Sequence, residues 1–278
     1  MYFRFLVVWM LSVGAVLAQD DLLPVFDAHS HYTEADAHAF GAPEVLRRLD
    51  RAGVSRVVVS GTPWQHARAL HEAAPERVIP LLGVYASHVG KAMWMHDQTL
   101  PGRVAARVAE GGWAGIGELH LFGRDADSPV FAELVRIAAA HDLMLLIHGD
   151  PAVVERAFEI APDVRVLWAH LGTVPAPGIV ARMLERNAGR ALWVDTSVRD
   201  ERIAPDGRLL PEWREVFETY PERFVVAVDT FSSNRWGRYD EVATGIRQWV
   251  GQLPPPLQER LLWRNAEALY APWLRDRP

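Results

Sequence analysis

The sequence of 278 residues contains no cysteine. That excludes disulfides, a thiolate nucleophile, cysteine-ligated zinc and a lipid-modified N-terminal cysteine. There is no basic excess either. Against 35 Asp and Glu stand 29 Lys and Arg, a net charge of -6, which argues against a nucleic-acid partner. No G-x-S-x-G elbow is present, so a serine-hydrolase reading lacks its usual signature. "HEAAP" at 71–75 lacks the second His of a metalloprotease helix, and "GK" at 90–91 lacks the flanking residues of a phosphate loop.

The apolar run from Phe5 to Leu17 falls short of the roughly 20 residues of a membrane span. With Arg4 before it, small residues at Val16 and Ala18, and polar "QDD" after, residues 1–18 read as a secretory signal cleaved after Ala18. The competing reading is a retained anchor. Cleavage implies an exported protein, periplasmic or secreted, with no stable membrane anchor. Residues 19–278 are then expected to form one domain, because α/β barrels of about 250 residues fold as a unit. The eleven tryptophans leave a homo-oligomer open.

Half the residues are hydrophobic and 23% charged, ordinary for a globular protein. Eight short apolar runs recur: "LLPVFDAH", "VSRVVVSG", "RVIPLLGVY", "WAGIGELHL", "LMLLIHGD", "VRVLWAHLG", "ALWVDTS" and "RFVVAVDTF". Most are continuously hydrophobic, as parallel strands covered on both faces require. Between them lie stretches with helical spacing, at 42–53, 62–74, 101–111, 127–142, 151–161, 177–188, 211–219 and 239–250. Alternation of this kind predicts an α/β fold, a (β/α)8 TIM barrel. An open doubly wound sheet is weakened by the lack of a Gly-rich turn after the first strand.

Polar residues at the strand ends carry the chemistry. "VFDAHSHYT", Val25 to Thr33, places two imidazoles two residues apart after an aspartate. Strict strand alternation puts Asp27, His29 and His31 on one face. His148 follows strand 5, His170 strand 6, Glu118 strand 4 and Asp229 strand 8. Parity sets His148 with Met144 and Leu146, and Asp229 with Ala227. Strand 6 fits less well, because Trp168 shares a face with His170. Strand ends converge at one rim of a barrel, and imidazole and carboxylate suit zinc, manganese or iron. A lone His at a strand end is more often structural; six such groups at five strand ends carry the inference together.

This pattern, D-A-H-S-H on strand 1 with Glu118, His148, His170 and Asp229 on later strands, resembles the amidohydrolase superfamily. "WRNAEALY" is similar to the Asn-Ala-x-x-Leu helix closing members of its amidohydrolase-related (amidohydrolase 2) branch. The resemblance spans Val25 to Leu274. It implies a distorted (β/α)8 barrel with one or two divalent metals at the C-terminal face, zinc first and manganese or iron as alternatives. By analogy with TatD-like members, His29, His31 and Asp229 would hold the first metal, His148 and His170 the second, and Glu118 would bridge. No Lys stands in "GIGELH" for carbamylation. Without the bridge, one metal remains and His170 acts as general acid/base. Asp229 would take a proton from the attacking water. Asp27 would brace the strand end, and Asp195 is either a supporting carboxylate or a strand-end cap.

The expected activity is metal-dependent hydrolysis of a small-molecule amide, lactone, ester or phosphoester. The alternatives are a non-oxidative decarboxylase of the same branch and, third, a non-catalytic exported metal-binding barrel. His88 and Lys91 after strand 3, His120 and Arg124 after Glu118, Arg199 after strand 7, and Asn234 and Arg235 after strand 8 are candidate substrate-binding residues. Several cations at one rim suit an anionic substrate, though loops are charged in any case.

Overall fold

The structure, a computed structural model, describes residues 23–275. The expected signal segment, and with it the question of cleavage, lies outside the described residues. Eight strands run β1 Val25–Thr33, β2 Val54–Thr62, β3 Val78–Leu82, β4 Gly115–Leu121, β5 Met144–Gly149, β6 Arg165–Trp168, β7 Leu192–Asp195 and β8 Phe224–Val225. They hydrogen-bond in sequence order, every pair parallel. This is the TIM-type α/β fold that the alternation predicts.

The helices follow from the periodicity. Ala42–Arg51 starts with Pro43 in its first turn and buries Val45 and Leu49. Pro129–Ala140 is capped by Ser128, whose hydroxyl accepts from the Phe131 N–H, and buries Phe131, Leu134, Val135 and Ala138. Such faces cover the outside of the sheet, where Leu145, Ile147, Val166, Trp168, Val226 and Val228 point. A second, smaller cluster fills the barrel, with Phe26, Ala28, Val58, Met144, Leu146 and Leu167 among its members. The C-terminal segment closes the floor. Asn265 in "WRNAEALY" donates to the Phe224 carbonyl at 2.7 Å, and the Tyr270 ring stacks on Phe26.

The barrel is distorted at its seam. Among the described residues no regular ladder joins β8 to β1; Ala28 N–H donates to Val226 O, and Asp229 N–H to His29 O. Asp27 reinforces that seam. Its carboxylate accepts from Val228 N–H, His29 N–H, Ser30 Oγ and Tyr239 Oη.

Here the expected parity is corrected. Phe26 and Ala28 face the interior, so Asp27 points outward, toward Tyr239 on the helix Tyr239–Val250. A register shift between Asp27 and Ser30 then resets the alternation and turns both His29 and His31 inward. Among the described residues, no helix is long and apolar enough to cross a membrane.

Candidate metal centre

The strand ends bring His29, His31, Glu118, His148, His170 and Asp229 to one place. Parity places His148 on β5 as expected, above Met144 and Leu146. Strand β6 delivers His170 by another device. It ends at Trp168, and His170 and Leu171 adopt φ of 60° and 57°, a left-handed turn that redirects the imidazole. Such backbone is uncommon outside glycine and gathers at functional sites. Asp229 has the same conformation, at φ 52°. Gly172 completes the β6 turn at φ 79°, where a Cβ would lie 2.2 Å from the Trp168 ring.

Glu118 is the hub. Its Oε1 lies 2.9 Å from His148 Nδ1 and 3.1 Å from His170 Nε2; its Oε2 lies 2.6 Å from His120 Nε2 and 3.4 Å from His31 Nε2. Asp229 Oδ1 is 3.3 Å from His31 Nε2 and 4.0 Å from His29 Nε2. Three sets have ligand-competent atoms within 4.8 Å of one another: His29, His31 and Asp229; His29, Glu118 and His170; and Glu118, His120 and His148. The grouping differs from the expected pairing of His148 with His170. His170 belongs with His29, and His120 joins His148, their rings stacked at 4.2 Å.

The histidine tautomers show what the cluster is built to hold. His29 Nδ1 lies 3.0 Å from Asp195 Oδ2, and an ionised carboxylate only accepts, so Nδ1 carries the proton and Nε2 keeps a lone pair. The Ser197 hydroxyl donates to Asp195 Oδ1, so its oxygen accepts from His170 Nδ1 at 2.7 Å and again Nε2 is bare. The bare His170 nitrogen faces Glu118 Oε1 at 3.1 Å, and that of His29 stands 3.2 Å from His31 Nε2 with Glu118 and Asp229 oxygens at 3.9 and 4.0 Å, contacts that a proton or a cation must bridge. Asp229 Oδ1 is buried without a well-aligned hydrogen bond, its nearest nitrogen being His31 Nε2 at 3.3 Å. The donor set of imidazole nitrogen and carboxylate oxygen, with one orphaned oxygen aimed into it, fits a divalent cation.

Charge supports the same conclusion. Burial works against a charged His31, yet bonds and charge from Asp229 and Glu118 raise its pKa to about 9. His170 also rises to about 9, against burial, through Glu118, Asp195 and Asp229. Burial raises the carboxylates, but surrounding histidines pull Glu118 well below its usual range, lower Asp229, and bring Asp195 to about 2. In the absence of a metal, protons supply the missing positive charge. His120 differs: burial lowers it to about 4.

Of the candidate substrate residues, the structure brings three to this cluster. Lys91 Nζ is 3.3 Å from His120 Nε2, and Arg199 donates to the His170 carbonyl. The expectation is corrected for Arg124 and Arg235. Arg124 is 81% exposed and paired with Asp125, while Arg235 binds the Val228 and Asp229 carbonyls and so braces the strand-8 turn. Asn234 is exposed on the short helix Ser233–Gly237. The His88 side chain lies outside the described residues.

Sequence reasoning missed Ser197, whose signal was only its place two residues after Asp195. It also missed Tyr85, whose hydroxyl accepts from the His120 N–H, and Trp236, whose indole N–H donates to the His31 carbonyl. A cavity of about 350 Å³ lies between the start of helix Gln65–Ala73 and the helix Leu100–Ala109; none of the candidate ligands lines it, and Tyr85 stands in its wall.

A TIM-type barrel with a polyhistidine–carboxylate centre at the C-terminal rim defines a class in which fold and site agree. The sequence model of the amidohydrolase family matches residues 26–271, and the chain belongs to that family, the amidohydrolase 2 branch. No curated protein matches it in sequence.

Solved structures share the fold at low identity. A probable 2-pyrone-4,6-dicarboxylic acid hydrolase from Acinetobacter baumannii, with citric acid bound, is 14% identical at TM-score 0.60, covering 90% of this chain and 100% of its own. A 2,6-dihydroxybenzoate decarboxylase from Rhizobium is 12% identical at 0.60, covering 90% and 99%. An amidohydrolase from Burkholderia multivorans with bound zinc is 16% identical at 0.56, covering 90% and 99%.

Proposed function

We propose that the protein is a metal-dependent hydrolase of small-molecule esters, lactones or amides, with His29, His31 and Asp229 holding a divalent ion, zinc by preference. The observation that carries the reading is Asp229 Oδ1, buried, without a well-aligned hydrogen bond, and facing the bare His29 Nε2 and the His31 imidazole. Glu118 and His170 close the inner side, while Glu118, His120 and His148 form a more open second set. The zinc of the Burkholderia relative suits the same donor types.

When bound, such an ion acidifies water and polarises the oxygen of the bond under attack. Asp229 takes the water proton and passes it to the leaving oxygen or nitrogen as hydroxyl adds to the acyl carbon. Asp195 and Ser197 keep His29 and His170 in the tautomer that presents Nε2. Lys91 stands beside His120, where its ammonium neutralises an anionic group of the substrate. The Acinetobacter relative, with citric acid bound, is compatible with a carboxylate there.

Elemental analysis of the protein and of Glu118→Ala, paired with turnover on an ester and lactone panel, tests the reading. Metal near one or two per chain with hydrolysis supports it, and a fall in the variant supports the shared role of Glu118. Release of carbon dioxide without consumption of water replaces it with decarboxylation. Metal bound without any turnover returns the barrel to a binding role. No metal after reconstitution sinks it.

A further inference from the structure

Five large hydrophobic side chains are exposed among the described residues: Leu23, Met93, Phe122, Val174 and Phe231. Leu23 opens the described chain, on the side of the barrel away from the cluster. The other four all sit at the C-terminal rim. Met93 (61% exposed) belongs to the connection after β3, and Phe122 (39%) follows β4, two residues past His120. Val174 (59%) lies four residues past His170, and Phe231 (52%) two past Asp229.

Scattered exposed apolar residues need no explanation; a set confined to the rim of one site does. Among the described residues the outer helices contribute none, and the opposite side of the barrel only Leu23. The four stand on four separate connections, after β3, β4, β6 and β8, at the end of the barrel that holds the cluster. Their neighbours are cationic: Arg124 stands over the Phe122 ring at 5.9 Å, Arg235 over Phe231 at 5.5 Å, and Lys91 lies beside His120. The Lys91 ammonium beside the cluster, with apolar contacts at the rim, complements a carboxylate that bears an apolar tail.

We infer that the substrate is the ester, lactone or amide of a carboxylic acid with a long apolar tail, whose acyl carbon lies at the metal cluster and whose tail leaves past Phe122 and Phe231. The apolar side chains lie beyond the strand ends that bear the cluster residues, so a short acyl group makes fewer contacts with them than a longer chain does. The inference rests on the hydrolase reading and adds the class of acyl group to it.

The test is calorimetric titration of the zinc-loaded protein with two product analogues, butyrate and decanoate, the latter below its micelle concentration. Decanoate is expected to bind at least about 30-fold more tightly, from partial burial of its additional methylenes. In the double variants Phe122→Ser/Phe231→Ser and Met93→Ser/Val174→Ser the ratio falls below about 5-fold, with zinc content unchanged. Equal binding of the two acids, or an undiminished ratio in both variants, overturns the inference. So does a dimer in sedimentation velocity, or binding to anionic phospholipid vesicles, that the substitutions abolish, because the apolar set then belongs to a second copy or to a membrane. Loss of zinc from the unmodified protein sinks the hydrolase reading itself. Zinc retained with no chain-length dependence sinks only the acyl class.

Discussion

At the scale of single residues, Asp195 does more than any of the candidate ligands to define the centre. One oxygen fixes His29, and the other accepts from the backbone N–H groups of His170 and Ser197 at 3.1 and 2.9 Å. Asp195→Asn places an amide donor against His29 Nδ1 and moves the imidazole proton to Nε2. Zinc affinity is expected to fall about 10- to 100-fold, read by competition with a chromophoric chelator; unchanged affinity removes the orienting role.

The histidines also make metal-free stability depend on pH. His31 and His170 have folded pKa values near 9, above the ordinary 6.5. Groups raised in this way contribute stability that is whole below the unfolded value and is lost as pH rises through the folded one. The chelator-treated protein should therefore lose Tm from neutral pH to above 9. Zinc-loaded protein should lack this decline, because the ligands are already deprotonated. Parallel curves for the two forms contradict a shared cation site.

At the scale of elements, two irregularities aim the site. The register shift in β1 separates Asp27 from the histidines, and the left-handed turn after β6 swings His170 inward. Gly172→Ala tests the second. A methyl group there overlaps the Trp168 ring at a backbone φ that disfavours side chains. We expect a loss of about 1–3 kcal/mol in urea denaturation, together with weakened zinc binding. Full stability with full affinity would mean that the turn adapts.

These two places also mark where the sequence stops being legible. Period-two reasoning sets His148 on the face of Met144 and Leu146, where β5 keeps its alternation; Asp229 reaches the cluster beyond the end of β8 through backbone at φ 52°. It misplaced Asp27 and strained over Trp168 and His170 because a bulge and a left-handed turn each break the count without a residue that announces them. The role of Gly172 is visible only when Trp168 is seen folded over it.

At the scale of the whole molecule, eight strands in sequence order bring residues 29 and 229 within reach, and the seam between β1 and the eighth run is held by few bonds. Asp27 carries much of that closure through Val228 and Tyr239. The export proposal belongs to this scale too. N-terminal sequencing of protein recovered from its native host is expected to begin at Gln19; a chain that begins at Met1 and sediments with membranes would establish an anchor instead.

The sequence by itself determined the alternation of strands and helices, the family to which those motifs belong, and the residue types gathered at the strand ends. Local hydrophobic period and side-chain chemistry are properties of short segments, and they survive without the fold. Only the tertiary structure decided which histidines share a carboxylate, that His120 stands with His148, that Asp195 and Ser197 set the tautomers, and that the exposed apolar side chains gather at one rim. Those depend on distances between segments far apart in the chain, which barrel closure sets and no local pattern records.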